Sequence, residues 1–503
     1  MERKFDLIVI GTGAAGSAAA YKCRKAGWDV AIIDARPFGG TCALRGCDPK
    51  KVLVGAAELI DWTRRMEGKG FSAADARIDW SSLMRFKKTF TEPVPDKMEK
   101  GYSKAGIVTY RGRTHFTDRT KLQVGEDNLI GRFVLIASGA MPAVLGIPGE
   151  AYLTTSDRFL ELEQLPQQIV FIGGGYISFE FAHIAARVGA QVTVLHRGVR
   201  PLEGFDVDLV RQLLSATHEI GADIRVKTAV EAVESDGDRL VVHCSTDEGS
   251  QDFAGDLVVH GAGRVPEIDQ LDLDKAGVAR ERKGVSVNEF LQSVSNPAVY
   301  AAGDAAASGG PRLTPVAGIE GHVAASNMLK GNHRKPNYSG VPTVVFTIPP
   351  LASVGLQEDD ARDQGFKFTV KHEDTSGWYS SRRVNLKYSG FKVLEEENTN
   401  RILGAHLFGE HAEDVINIFG LAIRAGLNAQ DLKTMIYAYP TSASDELKRR
   451  SSPPASATTC RKSPAPALTG SDLPALLPAP GRSLLTGALV FLYSTPRPVR
   501  AAG

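Results

Sequence analysis

A chain of 503 residues is too long for one hydrophobic core, so three or four domains are expected. Its 43% apolar and 23% charged residues match a folded enzyme and exclude a fibrous or wholly disordered chain, and a formal net charge of +1 gives no electrostatic case for nucleic acid. Five cysteines are too few for a secreted disulfide scaffold, so redox or metal chemistry is the question to ask of them.

The N-terminus opens on a strand, Lys4 to Ile10, without the long apolar stretch and small-residue cleavage site of a signal peptide, which points to the cytoplasm. FDLIVIGTGAAG, SAAAYKCRKAG and DVAIIDA read as strand, glycine-rich turn, helix and strand, a βαβ unit. Gly11, Gly13 and Gly16 form G-x-G-x-x-G between strand and helix, where glycines permit a tight turn, close approach to a pyrophosphate and helix-on-strand packing. The helix N-terminus then faces the phosphates. Asp34 closes the second strand, at the distance expected of an acid that bonds a ribose hydroxyl.

Cys42 and Cys47 follow in GGTCALRGCDPKK. Five residues of regular helix rise about 7.5 Å, more than the roughly 4.4–6.8 Å usual between disulfide α-carbons. The helix must therefore be distorted here, or Cys42 must precede it. A helix-start position together with Lys50 and Lys51 would lower a thiol's pKa. Cys23 and Cys244, isolated in helix-like and strand-like sequence, read as buried structural thiols.

A second βαβ unit follows in QIVFIGGGYIS, FEFAHIAARVGA and QVTVLHR, with Gly173, Gly175 and then Ser178 in place of the last glycine. Two such units imply two nucleotide-like ligands. After the second strand come His196, Arg197 and Arg200, where an acid is expected for NAD; arginine there pairs with a 2′-phosphate, so NADPH is expected in preference to NADH. FVLIASGAMP, LVVHGAGRVP and VYAAGDAA each read as a strand delivering a glycine turn to a ligand.

From about Tyr338 the pattern changes to α+β, a separate C-terminal domain. After Leu447 nine prolines fall between Pro453 and Pro498, with eight basic residues and one acid, Asp472. Residues 448–503 read as a disordered or frameshift-like tail, and the preceding 447 residues carry 51 basic against 57 acidic side chains. The apolar stretch Leu484 to Tyr493 has about half the length a membrane-spanning helix needs, so no membrane span is expected.

GGTC followed by GC-x-P-K-K, lying between a G-x-G-x-x-G and a later GGGYI-x-x-E segment, resembles the pyridine nucleotide-disulfide oxidoreductases, which include glutathione reductase, dihydrolipoyl dehydrogenase and mercuric reductase. The resemblance runs from about Phe5 to about Leu447, through SGAMP, GAGRVP, AAGDA, LTPVA, VVFT-x-PPLASVGL and ILGAHLFG. It implies an α/β fold with two Rossmann-like dinucleotide-binding domains, for FAD and NAD(P), and a C-terminal α+β dimerisation domain that makes a homodimer and completes the partner's active site. The implied division is 1–148 and 276–337 for FAD, 149–275 for NAD(P) and 338–447 for dimerisation.

The resemblance also assigns roles. Cys47 is the thiolate nearest the flavin, Cys42 is the interchange thiol, Lys50 and Glu180 pair beside the flavin's reactive nitrogen, and Tyr176 is an aromatic gate. The dinucleotide-binding set is Gly11, Gly13, Ala14, Ala15, Gly16, Asp34, Gly40, Thr41, Lys51, Ser138, Gly139, Gly173, Gly175, Tyr176, Arg197, Arg200, Gly263, Arg264, Gly303, Asp304 and Ala317, with Asp304 on the flavin ribitol. No metal ligand set is expected. Hydride passes from NADPH to FAD, then electrons pass to the Cys42–Cys47 disulfide and on to a small disulfide or other acceptor.

Disulfide-reducing members end in a segment resembling H-P-T-x-x-E, whose His is the acid and base for the interchange thiol; here Tyr439 and Ser444 stand at the His and Glu positions. Tyrosine, with an ordinary pKa of about 10, is a poor base at neutral pH but can act as an acid. Tyr21 and His322 fall where glutathione reductases carry arginines, and Cys460 stands alone where mercuric reductases carry a vicinal pair. The PKK after Cys47 is closer to the glutathione-reductase branch than the PSK of dihydrolipoyl dehydrogenases. The alternatives are dihydrolipoyl dehydrogenase or mercuric-reductase-like activity, a flavin oxidoreductase that reduces quinones, metals or oxygen directly, and a redox-sensing flavoprotein.

Overall fold

A computed structural model describes residues 2–448. The expected tail, beyond its first residue, lies outside the described residues, as do Cys460 and the stretch Leu484 to Tyr493.

The first sheet is built from β1 (Glu2–Ile10), β2 (Val30–Asp34), β3 (Val108–Arg111), β4 (Thr114–Asp118), β5 (Lys121–Val124) and β6 (Asp127–Ile136), in the order β3-β2-β1-β6-β5-β4. Its β3-β2-β1-β6 part is parallel, and the strand Val299–Ala301 joins it alongside β6. Leu7 to Ile10 and Val30 to Ile33 are buried without alternation, as strands covered on both faces must be. One cover is α1 (Ala14–Lys25) with the helix Thr314–Lys330, which approach so closely that a Cβ on Gly321 would lie 2.2 Å from the Ala15 carbonyl oxygen. That contact brings the N-terminus of the Thr314 helix to the end of the sheet.

The second sheet is parallel throughout, in the order Ala222–Arg225, Gln191–Leu195, Gln168–Ile172, Leu257–His260, Thr154–Thr155. A three-stranded antiparallel sheet (Ala229–Asp236, Arg239–Thr246, Gly249–Gly255) is inserted before its Leu257 strand. The third sheet is antiparallel, in the order Thr343–Val345, Leu351–Gly355, Ile402–Phe408, Gly390–Glu396, Phe368–Asp374. The helix Ala412–Ala425 packs Val415, Ile416, Phe419 and Ala422 into its core. This is the α/β fold expected, two Rossmann-like units and a C-terminal α+β unit.

The third sheet is tied to the second unit by a buried cation. Lys392, 1% exposed, meets Asp206 at 2.7 Å, Glu358 at 3.3 Å and also Asp208, satisfying its ammonium three ways. Among the described residues no helix is long and apolar enough to cross a membrane.

Candidate functional site

The ends of the first sheet, α1 and the Thr314 helix enclose a cavity of about 930 Å³. Gly11, Gly13, Ala14, Ala15, Asp34, Gly40, Thr41, Lys51, Ser138, Gly139, Gly303, Asp304 and Ala317 line it, together with Cys42, Cys47, Lys50, Tyr176, Glu180 and Arg264. Gly16 lies just behind, where a Cβ would sit 2.0 Å from the Gly11 carbonyl oxygen. Gly40, at φ +72°, faces Gly13 so closely that its Cβ would meet the Gly13 Cα at 2.5 Å. Backbone therefore lies bare against the cavity where a diphosphate would need to approach. Asp34 is fixed for its task by accepting from the Thr12 N–H at 2.9 Å, the Thr12 hydroxyl at 2.6 Å and the Arg36 N–H at 3.0 Å.

The two cysteines sit on two helices. Cys42 belongs to α2 (Gly40–Arg45) and Cys47 opens α3 (Cys47–Arg65), with Gly46 between them outside helical geometry. A Cβ on Gly46 would lie 3.0 Å from the Thr41 carbonyl oxygen, so glycine suits this bend. The bend brings the sulfurs into hydrogen-bonding reach, and the reduced pair shares its proton unequally. Cys47 is drawn down to about 6, first by the hydrogen bond from Cys42, then by the Thr314 hydroxyl 3.5 Å away and the Lys50 charge. Cys42 is pushed up, first by donating to Cys47 and then by burial, and nearby Asp48 acts in the same direction.

Lys50 meets Glu180 at 2.7 Å, both nearly buried. Glu180 Oε1 also accepts the Phe346 N–H at 2.9 Å, and the Phe346 ring lies under Lys50 Nζ at 4.4 Å and Lys51 Nζ at 4.7 Å. Lys51 pairs with Glu58 at 3.0 Å. Glu180 is carried by the helix Tyr176–Val188, whose polar residues Glu180, His183 and Arg187 share one side at helical spacing. His183 Nδ1 accepts the Ile348 N–H at 3.0 Å, which puts its ring proton on Nε2, donated to Thr217 Oγ1 at 2.9 Å. Arg187 donates to the Ile348 carbonyl at 2.9 Å and pairs with Asp61 at 2.6 Å. Three side chains of one helix thus grip segment 346–348 and set the surroundings of Lys50.

At the end of the second sheet, Gly173 is at φ +106°, and a Cβ there would meet Ala262 Cα at 2.6 Å. Gly173, Gly175, Gly263, Arg197 and Arg200 stand apart from the large cavity. His196 Nδ1 accepts the Gly174 N–H at 3.2 Å and Nε2 donates to the Arg200 carbonyl at 2.9 Å, bracing the loop. Arg200 turns its guanidinium to the carbonyls of Phe205 and Glu203, at 2.8 and 3.1 Å. Arg197 is exposed.

Tyr439 is 72% exposed, precedes a cis-proline, and does not line the cavity that holds the thiols. Ser444 is buried and donates to the Thr441 carbonyl at 2.7 Å, closing its own turn. Sequence reasoning passed over Arg45, Asp48, Thr314 and His183. Arg45 lies between the cysteines and lines the cavity, 3.5 Å from Asp157, and its Nε has no hydrogen-bond partner among the described residues. Its position one turn after Thr41 was the available signal.

Residues 5–321 match the pyridine nucleotide-disulphide oxidoreductase pattern, and residues 341–449 match that family's dimerisation domain. The chain belongs to this family. Among curated relatives, a mercuric reductase of Staphylococcus aureus is 32% identical over 446 residues, covering 87% of this chain and 80% of its own. A glutathione reductase of Burkholderia cepacia is 32% identical over 449 residues, covering 88% of this chain and 97% of its own. Among solved structures, the Cu(II) complex of the HOCl-induced flavoprotein disulfide reductase RclA from Escherichia coli superposes with a TM-score of 0.78 at 27% identity, covering 88% of this chain and 98% of its own.

Members of this pyridine nucleotide-disulphide oxidoreductase family are flavin- and pyridine-nucleotide-dependent enzymes acting on sulfur groups, and this chain is such an enzyme. Its cavity fits a flavin dinucleotide. The volume is that of a cofactor site, the glycine cradle leaves backbone bare, and the Ser138 hydroxyl at the cavity wall is buried without a hydrogen-bond partner among the described residues.

Proposed function

We propose that the protein reduces a small disulfide with NADPH, through FAD and the Cys42–Cys47 pair. The observation that carries this reading is the thiolate character of Cys47, drawn down to about 6 beside Thr314 and Lys50 in the cavity that would hold the flavin. Bound FAD and NADPH would supply hydride acceptance and donation. Lys50, held by Glu180 and packed on the Phe346 ring, would set its ammonium beside the flavin's reactive nitrogen. Tyr176, 51% exposed at the start of its helix and lining the cavity, would cover the flavin face and have to swing aside for nicotinamide. Asp304 would hold the ribitol and Arg45 would supply a cation for the diphosphate; both line the cavity.

Arg197 recognises the 2′-phosphate of NADPH, since Arg200 is engaged by its own loop. The enzyme works as a cytoplasmic homodimer, a reading supported by the match to the dimerisation domain. A second reading, electron delivery from flavin to a quinone or a metal ion, is favoured by Tyr439, which puts a phenol where a histidine would serve the interchange thiol.

Anaerobic NADPH titration with thiol counting separates the two. Two new thiols and a long-wavelength absorption band from a thiolate against the flavin are expected after two electrons; flavin bleaching with no new thiols would overturn the disulfide reading. Arg197→Ala is expected to lower kcat/KM for NADPH about tenfold or more while leaving NADH nearly unchanged.

A further inference from the structure

We propose that Asp48 is the proton carrier for Cys42 in disulfide exchange, the role that position 439 is ill suited to fill. The inference rests on the disulfide-reductase reading above. Exchange needs a group that takes the Cys42 proton as its sulfur attacks and delivers it to the departing thiol. Position 439 offers a phenol hydroxyl where an imidazole would offer a basic ring nitrogen.

Asp48 does line that cavity, is exposed, and has its Oδ1 4.0 Å from Cys42 Sγ, within reach of a thiol donor. It is the second residue of α3, in the first turn of that helix. The bend at Gly46 creates the contact, because it turns the start of α3 back toward the end of α2 that carries Cys42. Labour is thereby divided: Cys47 holds the negative charge and Cys42 keeps a proton with an acceptor at hand.

The reduced pair begins as a Cys42 thiol and a Cys47 thiolate. The Cys42 sulfur attacks the acceptor disulfide; a Cys42–acceptor S–S bond forms as the acceptor's own S–S bond breaks. The Cys42 proton passes to the Asp48 carboxylate and on to the departing thiolate, which leaves as a thiol. The Cys47 thiolate then attacks the Cys42 sulfur, re-forming the Cys42–Cys47 disulfide, and the second thiolate departs and takes a proton from water. Two electrons move from the cysteine pair to the acceptor.

The test uses holoenzyme reduced anaerobically with one equivalent of NADPH and mixed with hydroxyethyl disulfide, a neutral probe, over a range of pH. With Asp48→Asn, reoxidation is expected to slow about a hundredfold near pH 6. The deficit should shrink toward alkaline pH, where hydroxide can take the Cys42 proton in place of Asp48. Asp48→Glu should restore most of the rate. A pH profile for Asp48→Asn parallel to that of the parent, or faster rates at every pH as loss of a neighbouring negative charge alone would give, overturns the inference. If NADPH yields no new thiols in the parent enzyme, the disulfide-reductase reading fails instead, and the same pH comparison on dithiothreitol-reduced protein still decides the role of Asp48.

Discussion

Cys47 shows how much of a reactive centre is set by its nearest neighbours. A cysteine ordinarily titrates near 8.5, and here the Cys42 hydrogen bond, the Thr314 hydroxyl and Lys50 draw Cys47 to about 6. Alkylation of the reduced enzyme by iodoacetamide is therefore expected to be half-maximal near pH 6, with Lys50→Met moving that midpoint up by about one unit. Gly40→Ala should weaken flavin binding tenfold or more, measured by fluorescence on reconstitution, since the new Cβ would strike the Gly13 backbone from a left-handed conformation. The cysteine pair, Lys50 and the glycines were legible because each belongs to a short motif with fixed spacing. The contact of Asp48 with Cys42 was not, because it depends on the direction in which the chain turns at Gly46.

The helix Tyr176–Val188 is the element that organises the site. Its sequence reads as the helix of the second βαβ unit, and ten of its thirteen residues are buried. What its polar residues touch could not be read locally, since Asp61 and Ile348 lie 126 and 165 positions from their partners. Arg187→Met would leave Asp61 with Arg65 as its one ion-pair partner among the described residues and free the Ile348 carbonyl. It is expected to cost about 3 kcal/mol by urea unfolding, the order found on breaking a buried ion pair. Both βαβ units were legible as elements, for the same reason that their strands are uniformly apolar: each lies between two layers of helix or loop.

At the scale of the molecule, stability should fall on acidification from two buried histidines. His406, fully buried against Ser353 and Leu356, is lowered to about 4 chiefly by burial, and His183 is lowered well below its ordinary value, also by burial. An unfolded histidine takes its proton near pH 6.5, so between about pH 6.5 and 4 the unfolded chain binds more protons and stability declines as pH falls. His406 alone accounts for about 3 kcal/mol across that window; His406→Gln should flatten the dependence of urea midpoint on pH if the fold is kept. Lys392 belongs to this scale too, since neither its burial nor its three acids, drawn from two units, could be inferred from an isolated lysine in a strand. The grip of the Tyr176 helix on segment 346–348 has a bearing on biosynthesis. A ribosome-bound chain that has not yet exposed Phe346 and Ile348 lacks two donors to Glu180 and His183, so the cradle for the cofactor is completed late in translation, after both nucleotide-type units have emerged.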